Sequence, residues 1–131
     1  MATIFSKIIA GEIPCYKIAE SDDFFAFLDI RPLQKGHTLV IPKRENDYVF
    51  DLGDEELAGL MVFAKRVALA MEQSIECSRI GVSVIGLEVP HTHIHLIPIH
   101  SIADMNFANP LQGMEQKDFE EIASKIRSNF K

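Results

Sequence analysis

Apolar and polar positions alternate along this chain with periods that change several times, and each change marks an element. Residues 3 to 10 read as a short helix, stopped by Gly11 with Pro14 close behind. Tyr16 to Ala19 and Phe24 to Asp29 are short aromatic and aliphatic runs split by Ser21-Asp22-Asp23, which is a hairpin pattern. Arg31 to Gly36 is a connection. His37-Thr38-Leu39-Val40-Ile41 is a β-branched run closed by Pro42 and reads as a third strand. Leu57, Leu60, Met61, Ala64, Val67, Ala68, Met71 and Ile75 then recur by threes and fours, the apolar face of a long helix. Asp51 is its expected N-cap, with Asp54, Glu55 and Glu56 near the positive end of the helix dipole. Ile80 to Ile85 and Thr92 to Pro98 are two further strands, and Phe119, Ile122, Ala123 and Ile126 restore the helical spacing near the C-terminus.

Strands outnumber helices and do not alternate with them. The expected class is therefore α+β with a mainly antiparallel sheet. No repeat, low-complexity tract or Gly/Ser linker divides the 131 residues. The chain reads as a single domain over 1–131, with 101–131 a C-terminal extension that the pattern places less firmly: its Met105-Asn106-Phe107 and Pro110 are candidates to close over a site, and the helix after them to cap the sheet.

Composition narrows the function. An apolar fraction of 47% and a charged fraction of 24% are ordinary for a globular protein. A formal net charge of −6 argues against non-specific binding to nucleic acid or an anionic membrane, which needs a basic face. It leaves room for a local pocket that takes a small anion. No apolar run approaches the roughly 18 residues of a membrane span, and the N-terminus lacks a signal peptide's pattern. Cys15 and Cys77 form no C-x-x-C pair, so a reducing, cytoplasmic setting is the simplest expectation.

The chemistry-bearing stretch is Pro90-His91-Thr92-His93-Ile94-His95-Leu96-Ile97-Pro98. On a strand, His91, His93 and His95 share one face, and Thr92, Ile94 and Leu96 take the other. The apolar set can face a core, which leaves the imidazoles for chemistry. Packing alone offers little reason for three in register, because neighbouring imidazolium charges repel. His100 has the wrong parity and lies beyond Pro98. Two functional readings follow. One is a metal site built from His91, His93 and His95 with His37 as a fourth ligand. The other is an imidazole nucleophile whose neighbours orient it, bind an anion and protonate a leaving group. Spacing does not decide between them.

His91-Thr92-His93-Ile94-His95-Leu96-Ile97 is similar to the His-x-His-x-His-x-x motif of the histidine triad family, where x is apolar. Ile4 to Ile9 with Glu12-Ile13-Pro14 resembles that family's opening segment, Phe25 to Ile30 with Pro32 its ribose-binding strand, and Gly36 to Lys43 its next strand. The resemblance implies a five-stranded, mainly antiparallel sheet with one long helix and short terminal helices, usually paired as a homodimer. It also implies hydrolysis at the α-phosphate of a purine nucleotide conjugate, through a nucleotidyl-histidine intermediate and without a cofactor. P–N cleavage of a nucleoside phosphoramidate is the expected reaction. Hydrolysis of dinucleoside polyphosphates and nucleotidyl transfer are the close alternatives. A metal-binding protein or a non-catalytic nucleotide sensor are alternatives of another class.

By the same resemblance His93 is the nucleophile and His95 contacts the phosphate oxygens. His91 and His37 form the hydrogen-bonded support, and Asp29 accepts from the ribose hydroxyls. Phe5, Ile8, Ile13, Phe27 and Ile30 line the base pocket. One stretch departs from the pattern. Gly86-Leu87-Glu88-Val89-Pro90 stands where typical members carry Gly-Gln-Ser or Gly-Gln-Thr, and the Asn-x-Gly before it is missing. Glu88 thus puts a carboxylate beside the expected phosphate. That fits a substrate whose leaving group carries positive charge, such as an amine, or a side chain turned to solvent.

Overall fold

The computed structural model describes residues 2–131. In chain order it contains α1 (Ile4–Ile9), β1 (Lys17–Glu20), β2 (Phe24–Leu28), β3 (Thr38–Pro42), α2 (Asp54–Ser74), β4 (Arg79–Ser83), β5 (Ile94–Ile99) and α3 (Gln116–Asn129). Short 3-10 turns at Val49–Asp51 and Ile102–Met105 join them. The strands form one sheet in the order β1-β2-β3-β5-β4, and each neighbouring pair is antiparallel. The expected class and strand count hold, and the sheet is antiparallel throughout.

Alternation along the strands splits the core in two. Ile18, Ala26, Leu28, Val40, Ile94 and Leu96 face α2 and α3, whose Leu60, Phe63, Val67, Met71, Ile122 and Ile126 complete that layer. The opposite parity, Phe25, Phe27, Leu39 and Ile41, packs with Phe5 of α1 in a smaller cluster. His93 and His95 share that second parity. α3 is part of the main layer rather than an appendage: its buried residues join the α2 cluster, and Phe119 stacks on Tyr16 at 5.1 Å. At 14 residues it is also longer than the short terminal helix expected.

Several boundaries differ from expectation for identifiable reasons. Gly53, not Asp51, precedes α2, and Asp51 is absorbed in the preceding 3-10 turn. Met61 is exposed, because Phe63 takes the inward position on that turn of the helix. β5 starts at Ile94, two residues later than Thr92, since its last partners are Val40 on one side and Ser83 on the other. Pro98 is accommodated inside β5 because pairing with β3 has already ended at Leu96, so its missing N–H faces no acceptor.

Candidate active site

His91 lies outside the strand that was expected to carry it. His91 donates its backbone N–H to Val89 at 2.8 Å, and Thr92 donates its own to Asn46 at 2.6 Å. These bonds turn the chain away from the sheet ladder and carry the His91 ring beneath α1, where it is fully buried. His91 Nε2 lies 2.8 Å from the Pro42 carbonyl, which can only accept, so Nε2 carries the proton. His91 Nδ1 is then a lone pair and accepts from the Thr3 hydroxyl at 2.8 Å. Thr3 is also the N-cap of α1, accepting from the Ser6 N–H at 3.0 Å. Both Thr3 N–H and the Ser6 hydroxyl donate to Glu45. Burial pushes the His91 pKa down, partly offset by the Pro42 bond and Glu45.

The service of His91 to the site comes through its backbone. Its carbonyl accepts from His93 Nδ1–H at 2.7 Å. That bond fixes the tautomer of His93 and leaves Nε2 as an unprotonated lone pair. The Phe5 ring stands edge-on to His93 at 5.1 Å and to His91 at 5.7 Å, so α1 holds the imidazole plane as well.

A second chain of bonds sets His95. The Leu33 N–H donates to His37 Nδ1 at 3.0 Å, so that nitrogen is a lone pair and the proton sits on Nε2. His37 Nε2–H then donates to His95 Nδ1 at 3.0 Å. His95 is left with Nε2–H as its free group, a donor. Burial lowers the His37 pKa to about 4, with Asp29 opposing and His93 adding to the shift. Burial, His37 and His93 together lower His95 to about 3. Near neutral pH the pair is uncharged, and the direction of its protons is dictated by one backbone amide.

His93, His95 and His37 open on a cleft of about 430 Å³. Phe5, Asp29, Ile30 and Glu88 line it as expected. Asp29 sits at the end of β2. One of its oxygens accepts from the Arg31 N–H at 2.8 Å, a local turn bond, and the other lies 3.6 Å from His37 Nε2. Glu88 is exposed on the rim, in the loop that Gly86 opens with a φ of +75°. Three expected pocket residues are elsewhere. Phe27 is fully enclosed in the smaller core cluster between Phe5 and Phe25, and Ile8 packs on the outside of that cluster. Ile13 is half-buried on the turn after α1 and does not line the cleft. Leu33, Leu39, Val89 and Phe107 line it instead. Leu39 has the parity of His37 and His95 and could have been found that way. Phe107 and Pro110, which the sequence offers as candidates to cover the site, both line the cleft.

The donor set also bears on the metal reading. The groups that converge are Asp29, His37 and His95, with ligand atoms within 4.8 Å of one another. The four-histidine set does not assemble, since both His91 ring nitrogens are engaged elsewhere. A ligating histidine ordinarily donates its second N–H. His37 Nδ1 accepts from Leu33 instead, which suits the donor relay and opposes ligation through Nε2.

A HIT domain match covers residues 10–102. Over 98 residues the chain is 43% identical to the adenosine 5'-monophosphoramidase of Saccharomyces cerevisiae, an alignment covering 74% of this chain and 62% of that protein. The chain thus spans just under two thirds of that relative's length. Identity to the adenosine 5'-monophosphoramidase of Schizosaccharomyces pombe is 39% over 99 residues, 75% of this chain and 74% of the relative. Among solved structures, a HIT-like protein from Bartonella henselae superposes with a TM-score of 0.82 at 32% identity, covering 98% of this chain and 96% of that one. The motif, the sheet order and the match from residue 10 to residue 102 agree: the chain belongs to the HIT domain family.

Proposed function

We propose that this protein is a nucleotide-binding hydrolase that cleaves the P–N bond of a purine nucleoside phosphoramidate through a covalent His93 adduct. One observation carries the reading: a lone pair on His93 Nε2 and a donor N–H on His95 are held side by side in one cleft, each by a separate hydrogen bond. A nucleophile and an anion donor with fixed and opposite proton positions are what attack at a phosphate requires. The named activity of the two yeast relatives supports the choice of a phosphoramidate.

In the first step His93 Nε2 bonds to phosphorus and the P–N bond breaks, releasing the amine. His95 Nε2–H binds a non-bridging oxygen and stabilises the charge that builds on it. In the second step water attacks phosphorus and the P–Nε2 bond breaks, giving the nucleoside monophosphate and free His93. The leaving nitrogen takes a proton from solvent in the first step and the attacking water returns one to solvent in the second, so over both steps one water is consumed, with its hydroxyl on phosphorus. Asp29 accepts from the ribose hydroxyls with the carboxylate edge left open by its turn bond. Phe5 and Ile30 face the base. Glu88 on the rim favours a leaving group that carries positive charge.

The same reading includes a pair of copies. Among the described residues β4 is bonded only to β5 and leaves its other edge open, and Val82, Val84, Ile85 and Leu87 on and after it are exposed. An open edge with apolar side chains is suited to a second copy of this chain. Among the described residues no helix is long and apolar enough to cross a membrane. Cys15 and Cys77 are both free, which supports a reducing compartment. The decisive experiment is hydrolysis of an adenosine phosphoramidate with a chelator present, in the unmodified protein and in His93→Ala. Turnover that vanishes in the variant, with a nucleotidyl adduct trapped by alkaline quench only in the unmodified protein, is the expected result. Turnover that survives His93→Ala overturns the mechanism.

A further inference from the structure

The HIT domain match ends at residue 102, but the cleft does not: Phe107 and Pro110 line it. They lie on a strap from Asn106 to Leu111 that is fastened at both ends. Before it, the 3-10 turn Ile102–Met105 is closed by a reciprocal cap in which Asp104 accepts from the backbone N–H of His100 and Ser101. Met105 then seats on Gly81 of β4, where a Cβ would come within 2.8 Å of its sulfur. Within the strap, Asn106 accepts from the N–H of Ala108 and of Asn109, both at 3.0 Å. At its far end the Leu111 N–H donates to the Pro32 carbonyl at 2.8 Å, one residue before the amide that orients His37.

Between these anchors the Phe107 ring stands edge-on over His95 at 4.9 Å and 79°, and over His37 at 6.4 Å and 83°. His37 and His95 are 1% and 8% exposed, although they border an open cleft, while Phe107 itself is 39% exposed. The ring therefore takes the solvent contact that the imidazole pair would otherwise have. Water reaching the pair would compete for both the donor on His37 and the acceptor on His95. It could also let His95 present either nitrogen state to the cleft.

We propose that Phe107 is a positioning residue for the His37–His95 pair: its ring keeps water off the imidazole–imidazole hydrogen bond, so that His95 always offers N–H, never a lone pair, to an anion in the cleft. The catalytic consequence rests on the phosphoramidase reading above, but the shielding itself does not. The two can therefore be tested separately in the full chain. Histidine-labelled protein, free of ligand, is examined by NMR for the His37 Nε2–H proton. It is expected to be protected in the unmodified protein and in Phe107→Leu, and to exchange about tenfold faster or more in Phe107→Ala, the factor one lost hydrogen bond implies. Backbone amide dispersion shows whether Phe107→Ala still folds, and Phe107→Leu keeps the question open to decision if it does not.

With adenosine phosphoramidate, Phe107→Ala is expected to lower kcat about tenfold with KM nearly unchanged, and Phe107→Leu to restore it. Exchange in Phe107→Ala at the unmodified rate overturns the proposal. So does a KM effect without a kcat effect, which would make Phe107 a wall for substrate and not a cover for the pair. Protection that behaves as expected in a protein with no phosphoramidate turnover would support the cover and defeat the functional reading.

Discussion

The two supports of the site do the same job by different means. On one side, Glu45, Ser6 and Thr3 hold the His91 ring, and only the His91 backbone carbonyl reaches His93. On the other, the Leu33 amide sets His37, and the His37 ring itself reaches His95. A carbonyl can only accept, so the first support gives His93 one tautomer whatever the protonation of the ring behind it. An imidazole can donate or accept, so the second depends on what Leu33 imposes and on the pair staying neutral. The His91 arm is thus a matter of backbone placement, and the His37 arm a matter of proton placement. Damage to the first should resemble loosened structure, and damage to the second should resemble altered chemistry.

The largest effect is expected where the two supports meet. His93→Ala should lower phosphoramidate turnover at least about 10⁴-fold, as loss of a nucleophile does, measured by amine release. Next, His37→Phe removes the donor to His95 and fills the space with an apolar ring. It should lower kcat about 100-fold while nucleotide binding changes little. If His37→Phe weakens binding as much as it slows turnover, the contrast between the two arms fails.

Acid should weigh more on the second arm, whose two imidazoles are depressed furthest, although burial lowers His91 as well. His37 and His95 have folded pKa values of about 4 and about 3, against about 6.5 unfolded. Below pH 6.5 the unfolded chain binds protons that the folded pair refuses, even with Asp29 and His93 facing it. Stability from this source is fully present above pH 6.5 and falls as pH drops toward 4. Its slope is about 1.4 kcal/mol per pH unit for each proton. Denaturant melts between pH 7 and 4 should show a shallower fall in His37→Phe than in the unmodified protein.

Thr3→Val breaks the first arm at its hydroxyl, losing both the His91 bond and the α1 cap. A loss of about 1 kcal/mol in stability and only a few-fold in kcat is expected, with Thr3→Ser restoring both. A loss of kcat as large as that of His37→Phe would show that proton placement matters on this side too. The smallest effect belongs to Glu88→Gln. An exposed charge contributes at most about 1 kcal/mol, so the preference for cationic over neutral leaving groups should fall by fivefold or less. An unchanged preference would remove Glu88 from substrate selection.

Much of the fold was legible because it follows local rules. The 3.6-residue period of α2 and α3 and the twofold alternation at β5 report which side chains face a core, and those faces were read correctly for Leu60, Val67, Met71, Ile94 and Leu96. Asp29, Phe5, Ile30, His37, His93 and His95 were also identifiable as a group, and the cleft brings them together. The misreadings share a physical cause. Phe27 and Ile8 have the right character for a pocket, but apolar character does not say whether the neighbour is ligand or protein; Phe5, Phe25 and Ile41 fill that space.

The sequence by itself determined the alternation that separates Ile94 and Leu96 from His93 and His95, since successive side chains on a strand take opposite faces whatever surrounds them. It also pointed to the segment His91–His95 as the carrier of the chemistry, although only His95 of the three lies within β5. Only the tertiary structure decided which proton each histidine holds. That depends on a carbonyl at His91, another at Pro42 and an amide at Leu33, brought to the rings by turns that side-chain pattern does not encode. Tertiary structure likewise decided that the ring of His91 would leave the cleft and that Phe107 would enter it. A local backbone hydrogen bond to Val89 and a long-range one to Asn46 place the first, and a strap fastened to Pro32 places the second.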